Sequence, residues 1–220
     1  MDDLFDQELA SMAASLARDQ ETATADRLAT ALVRKTARVL TRRARTEEHL
    51  RSILPSTLEM GTSVHVLSHG DVDALSYLIH IAAQTPLESV LLSTWCMAMP
   101  DIEWLREQIE TGRIGHLDLI AGEIFPSQYP DEYLAVLDLQ TRQLATVKIA
   151  RNHAKIIAGI SPDASLAFVV ETSANVNTNP RIEQAAIHMS RELYDHVTDF
   201  YSQIKSIDRA TRTAANALHP

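Results

Sequence analysis

The stretch ATVKIARNHAKIIAGISPDASLAFVVETSANVNTNPRIEQ, residues 145–184, decides how the chain is read. It opens with a strand pattern ending at Ala150, continues through Asn152-His153-Ala154-Lys155, and enters a second apolar run that reaches Glu171. Ile156, Ile157 and Ile160 are separated from Leu166, Phe168, Val169 and Val170 by Ser161-Pro162-Asp163, which is turn chemistry between two buried strands. Side chains two apart on an extended chain point the same way, so His153 pairs with Lys155, and Ser173 with Asn175 at the end of the next run. A hairpin brings the two polar pairs to one edge. Glu183 follows soon after.

These residues resemble the signature of the phospholipase D superfamily: His-x-Lys on one strand, an Asp shortly after, Gly-Ser-x-Asn ending the next strand, and a Glu opening a helix. His153 and Lys155 match the first element, Ser173 and Asn175 the second, and Glu183 the carboxylate that orients the nucleophilic histidine. Two positions depart from the pattern: Ile160 stands where the Asp is usual, and Thr172 where the Gly is. Asp163, in the turn of a longer hairpin, is a doubtful substitute for that Asp. The resemblance covers about Gly61 to Phe200 and is closest in kind to short, single-motif bacterial and prophage members.

The resemblance implies a mixed α/β sheet flanked by helices and a metal-independent phosphodiesterase, most simply a nuclease, with no cofactor. A neutral His153 attacks phosphorus and forms a phosphohistidine, splitting one displacement into two. Lys155 and Asn175 donate to the non-bridging oxygens, and Glu183 fixes the His153 tautomer. A second histidine is needed for the leaving oxygen, yet no other His-x-Lys occurs in the chain. A homodimer with a two-fold axis supplies it. The alternative is an inactive member that keeps the fold as a nucleic-acid-binding or assembly module, and substrate choice among DNA, RNA and a small phosphodiester stays open.

Composition narrows the setting. The chain has 220 residues, 45% of them hydrophobic, with 6 Gly and 8 Pro, enough to bury one substantial core. Cys96 is the single cysteine, so there is no intramolecular disulfide framework or cysteine-based zinc site, and a reducing cytoplasm is the expected compartment. No apolar run approaches the ~18 residues of a membrane span, and Asp2 and Asp3 stand where a signal peptide would be basic. The formal charge of -9 argues against a surface wholly committed to nucleic acid.

The remaining elements divide as a helical arm over residues 1–55, a domain over 61–200 and a helical extension over 201–220. In the arm, Arg34, Arg38, Arg42 and Arg45 recur at helical spacing on one face, with no acid among them. That strip reads either as a track for a DNA or RNA backbone or as a solvated face paired with Glu47 and Glu48. Gly61 to Ser68 reads as the first core strand, and Asp71 as the cap of a helix from Val72 to Gln84. His65, His69, Asp71 and Asp73 are explained by a strand entering a capped helix, without a metal. Strands at Ser89–Thr94 and Ile114–Ala121 flank a helix from Asp101 to Thr111, another helix covers Asp131–Thr141, and the chain after Glu183 reads as helical to about Ala217. Ser93, Thr94, Trp95 and the loop from Glu123 to Tyr129 are candidate substrate contacts. Trp95 reads equally as core or as a platform for a base.

Overall fold

Strand segments of five to nine residues, punctuated by turns and amphipathic segments, assemble into a seven-stranded mixed sheet in the computed structural model, which describes residues 45–69, 72–176 and 181–212. The strands are β1 (Ser63–Ser68), β2 (Leu87–Thr94), β3 (Ile114–Gly122), β4 (Ala145–Ala150), β5 (Ile156–Ile160), β6 (Ala167–Thr172) and β7 (Glu183–His188), in the order β1-β7-β6-β5-β2-β3-β4. The helices are α1 (Ala74–Ala82), α2 (Met99–Glu110), α3 (Phe125–Gln128), α4 (Pro130–Thr141) and α5 (Arg191–Ser202). The chain divides between Arg45 and Thr46 into two units, and the described residues belong to the second except for Arg45.

β2, β3 and β4 are parallel, whereas β5, β6, β7 and β1 alternate in direction. Parallel neighbours need a crossover, which α2 provides between β2 and β3, and α3 with α4 between β3 and β4. One face of the sheet, with Leu92, Leu119, Val147, Ile157, Phe168 and Ile187, packs against α1, α2 and α4 in the main core. On the other face Leu91, Ile120, Ala158 and Val169 meet Val197 and Tyr201 of α5. Helices on both faces explain why the central strands carry near-continuous apolar runs.

The cap of α1 is Asp73, not Asp71, which lies outside the described residues. Asp73 has extended backbone geometry, and its Oδ1 accepts from Ser76 N at 2.9 Å and Ser76 Oγ at 2.7 Å. The helix therefore starts at Ala74, two residues later than expected from the sequence. Asp73→Ala is expected to lower stability by about 1–2 kcal/mol, seen as a lower urea midpoint at unchanged slope.

A larger correction concerns Glu183. The sequence pattern predicts a helix opening there and running to about Ala217; instead residues 183–188 form β7, and the helix spans Arg191–Ser202 with Ser190 as its cap. The physical reason is period: Ala185 and Ile187 are buried on one face while Gln184 is exposed on the other, and this two-residue alternation wins over the helix preference of Ala185-Ala186. After Gln203 the chain runs in non-helical geometry over 204–208 and is stitched to the sheet by Ile207 N to Ile149 O at 2.8 Å.

The β5–β6 hairpin also locates Ile160 and Asp163. β5 runs away from His153, so Ile160 lies roughly 13 Å along the strand from Ile156, paired with Ala167 and Ser89 and 8% exposed. Asp163 sits in the turn beyond it, where its Oδ1 accepts from Ser161 Oγ at 2.7 Å and Ser165 Oγ at 2.8 Å. Those bonds hold its carboxyl down at about 2. Their contribution to the turn is complete above the ordinary carboxylate range and fades as pH falls toward 2.

Candidate functional site

The sheet directions gather five strand ends and two strand beginnings on one edge. β1, β2, β3, β4 and β6 finish there, and β5 and β7 start there: Ser93 lies opposite Ile156, Ile156 opposite Glu171, Thr172 opposite Ala185, and Ser68 opposite Glu183. Loops at such an edge converge from segments far apart in sequence, which suits a site built on a rigid scaffold.

His153 and Lys155 lie in the link between β4 and β5 rather than on a regular strand. Asn152 positions that link. Its Nδ2 donates to Ser93 Oγ at 3.0 Å, Thr94 O at 3.1 Å and Ile120 O at 3.3 Å, and its Oδ1 accepts from Ala154 N at 3.1 Å. One amide thus ties the link to the ends of β2 and β3. Ser93 Oγ adds a bond to Ala154 O at 3.3 Å, and Thr172 N donates to Lys155 O at 3.1 Å.

His153 is exposed, whereas Lys155 is only 9% exposed. Lys155 Nζ donates to His153 O at 2.8 Å and lies 3.1 Å from His153 Nδ1. An ammonium has only donors, so Nδ1 accepts and the ring proton resides on Nε2 in this arrangement. Burial lowers the Lys155 pKa below the ordinary lysine value, while the Glu183 carboxylate and Cys96 oppose the shift.

Ser173 and Glu183 form a second pair. Ser173 Oγ donates to Glu183 Oε2 and accepts from Gln184 N at 3.0 Å. The structure therefore engages the Glu183 carboxylate with Ser173, and the Nδ1 of His153 with Lys155. Thr172, at the position where the signature has Gly, holds the same corner: its Oγ1 donates to Gln184 O at 2.9 Å and accepts from Ala174 N at 3.1 Å. Asn175 docks on the start of α1 through its carbonyl, which accepts from Ala74 N at 3.1 Å, and its side-chain Oδ1 is buried with no hydrogen-bond partner among the described residues.

Trp95 and Cys96 flank His153 and Lys155. Trp95 is half-buried, with its ring centroid 5.8 Å from that of His153 and the planes tilted by 51°. Cys96 is buried beside Lys155; burial pushes its thiol up, and Tyr129 donates a hydrogen bond to it. Thr94, another candidate contact, spends its hydroxyl on Cys96 O at 2.9 Å. Asn152 and Cys96 carry no site role in the sequence pattern, where Tyr129 figures only as the end of the candidate loop from Glu123 to Tyr129. Only the Asn at the start of Asn152-His153-Ala154-Lys155 carried a signal, since Asn commonly bonds to the backbone two residues on.

Arg34, Arg38 and Arg42 lie outside the described residues, and Arg45 is exposed at the start of a helical segment over 45–53. Among the described residues no three metal-ligating side chains come together, and no helix is long and apolar enough to cross a membrane.

The chain matches no protein family and no curated protein. Among solved structures it is similar to TrmBL2, an archaeal chromatin protein whose structure shows a novel mode of DNA binding. The identity is 8% and the TM-score 0.46, over 79% of this chain and 66% of that one. The chain spans just under two thirds of that protein's length, and likeness at this level carries no argument about function.

Proposed function

We propose that the chain is a metal-independent, phospholipase D-like phosphodiesterase, a nuclease that works through a phosphohistidine on His153 in a homodimer. The observation that supports this most is the pairing of an exposed imidazole with a buried ammonium at the convergent sheet edge, His153 Nδ1 and Lys155 Nζ being 3.1 Å apart.

In the first step an imidazole nitrogen bonds to phosphorus as the ester oxygen leaves with its electron pair and takes the Nε2 proton of the second chain's imidazolium, leaving that ring neutral. In the second step water attacks phosphorus and gives a proton to that neutral ring, while the P–N bond breaks and its electron pair returns to the first imidazole. The donor copy holds a proton on both ring nitrogens, with its Lys155 turned away from Nδ1, so that losing the Nε2 proton leaves a neutral ring. For the nucleophilic copy, Lys155 swings from Nδ1 to a phosphate oxygen, the proton moves to Nδ1, and Nε2 becomes free to attack. One sequence thereby serves both roles. Lys155, and Asn175 through its amide, supply donors to the charge that accumulates on phosphate.

With one His-x-Lys per chain, a catalytic site needs two chains. Light scattering is expected to give twice the chain mass, and specific activity to fall on dilution below the dimer dissociation constant. Full activity from a monomer would sink the two-copy mechanism.

A second reading, a nucleic-acid-binding or assembly module without turnover, is favoured by the Glu183 carboxylate being taken up by Ser173. In either reading the arginine strip of Arg34, Arg38, Arg42 and Arg45 is the proposed phosphate-backbone contact for DNA or RNA. The separating experiment is hydrolysis of DNA, RNA and small phosphodiesters in EDTA. Binding with no turnover on any of them supports the module.

A further inference from the structure

A half-buried indole stands beside the reactive imidazole while its chain neighbours are sealed: Thr94 is 0%, Cys96 2% and Met97 0% exposed. Its position is enforced. A Cβ on Gly122 would stand 2.5 Å from Trp95 Cδ1 and 2.8 Å from Trp95 O, so only glycine lets the indole and its backbone lie against the end of β3. Gly122 N donates to Trp95 O at 3.2 Å, and the same glycine faces Asn152 O, 3.3 Å from where its Cβ would be. The element that holds the His153 link therefore also abuts the indole. Trp95 packs against the main core yet stays half-buried, so part of the ring remains open to solvent beside the exposed His153.

We infer that Trp95 is a stacking platform for a nucleobase next to the scissile phosphate, which makes the substrate class single-stranded nucleic acid. This rests on the phosphodiesterase reading for its phosphate. The ring lies 5.8 Å from that of His153, so a phosphate at the imidazole sets the attached nucleoside over the indole. Every base has a π-face, so such a platform tolerates sequence, but a base locked in a duplex stack cannot lie on it. A small phosphodiester without a flat group gains nothing there.

The test separates binding from turnover. The chain has two tryptophans, so Trp104→Phe leaves Trp95 as the sole indole reporter. This protein, in EDTA, is titrated with a short single-stranded oligonucleotide, its abasic counterpart and the matching duplex. Expected are quenching of Trp95 by the base-containing single strand, little by the other two, and affinity for the abasic strand weaker by about 5- to 150-fold. Trp95→Leu should lose the same factor on the base-containing strand and almost none on the abasic one, while Trp95→Phe retains most of it. Equal affinity for abasic and base-containing strands overturns the platform. So does a Trp95→Leu variant whose kcat falls equally on both strands at unchanged KM, the mark of an indole that only positions His153. Hydrolysis is followed on the same samples: selective quenching without turnover upholds the platform and removes the phosphodiesterase reading, whereas turnover without selectivity does the reverse.

Discussion

His153→Ala is expected to lower phosphodiester turnover by roughly four orders of magnitude or more, while the native rate is unchanged by EDTA. A nucleophile cannot be replaced by water at comparable rate, because the covalent route that it opens closes with it. The fold should survive. His153 is exposed, and its carbonyl, which accepts from Lys155 Nζ at 2.8 Å, remains in the alanine variant. Rapid quenching of the native protein during turnover should trap an acid-labile phosphate on His153. Dependence on a divalent metal, or activity that survives the substitution, would falsify the mechanism.

Lys155→Met is expected to cost about 10²- to 10³-fold in kcat, the scale for one donor lost from charge stabilisation. Loss of folding is not the explanation, since an apolar replacement of a desolvated ammonium is often neutral or stabilising. The pH profile supplies an independent check. Burial holds the Lys155 pKa down, and the active ammonium exists below that pKa, so kcat/KM should fall on the alkaline side before the ordinary lysine value of about 10.4. Between the folded and unfolded values the unfolded chain holds more protons, so stability rises with pH in that window. Lys155→Arg keeps its charge throughout and should remove the limb from whatever activity it retains. An alkaline limb unchanged in Lys155→Arg means that another group titrates there.

The hairpin and the parallel strands were legible because apolar runs bounded by Ser161-Pro162-Asp163 and by Gly112 leave little choice of period. The pairing of His153 with Lys155 was legible from two-residue spacing, although the residues lie in a link and meet through a lysine that folds back on the imidazole. β7 was not, because Ala185-Ala186 suits a helix and six residues are too short a run for alternation to be told from a helical pattern. Ile160 looked like a missing site residue only while the strand direction was unknown. The Ser173–Glu183 bond could not be read either, since it depends on β6 and β7 being neighbours. Spacing along the chain carries local geometry, and partners across strands require the topology.

The three bonds from Asn152 Nδ2 to Ser93, Thr94 and Ile120 give the link between β4 and β5 no melting of its own. Freeing His153 from its place means breaking into the ends of β2 and β3, which run through the main core. Heat inactivation and loss of the sheet should therefore coincide in one transition, and amide exchange at Ala154, whose N–H is held by Asn152, should track global opening rather than surface fraying. On the phosphodiesterase reading, a substrate would meet a surface already in shape, and the motion left at this edge is that of side chains.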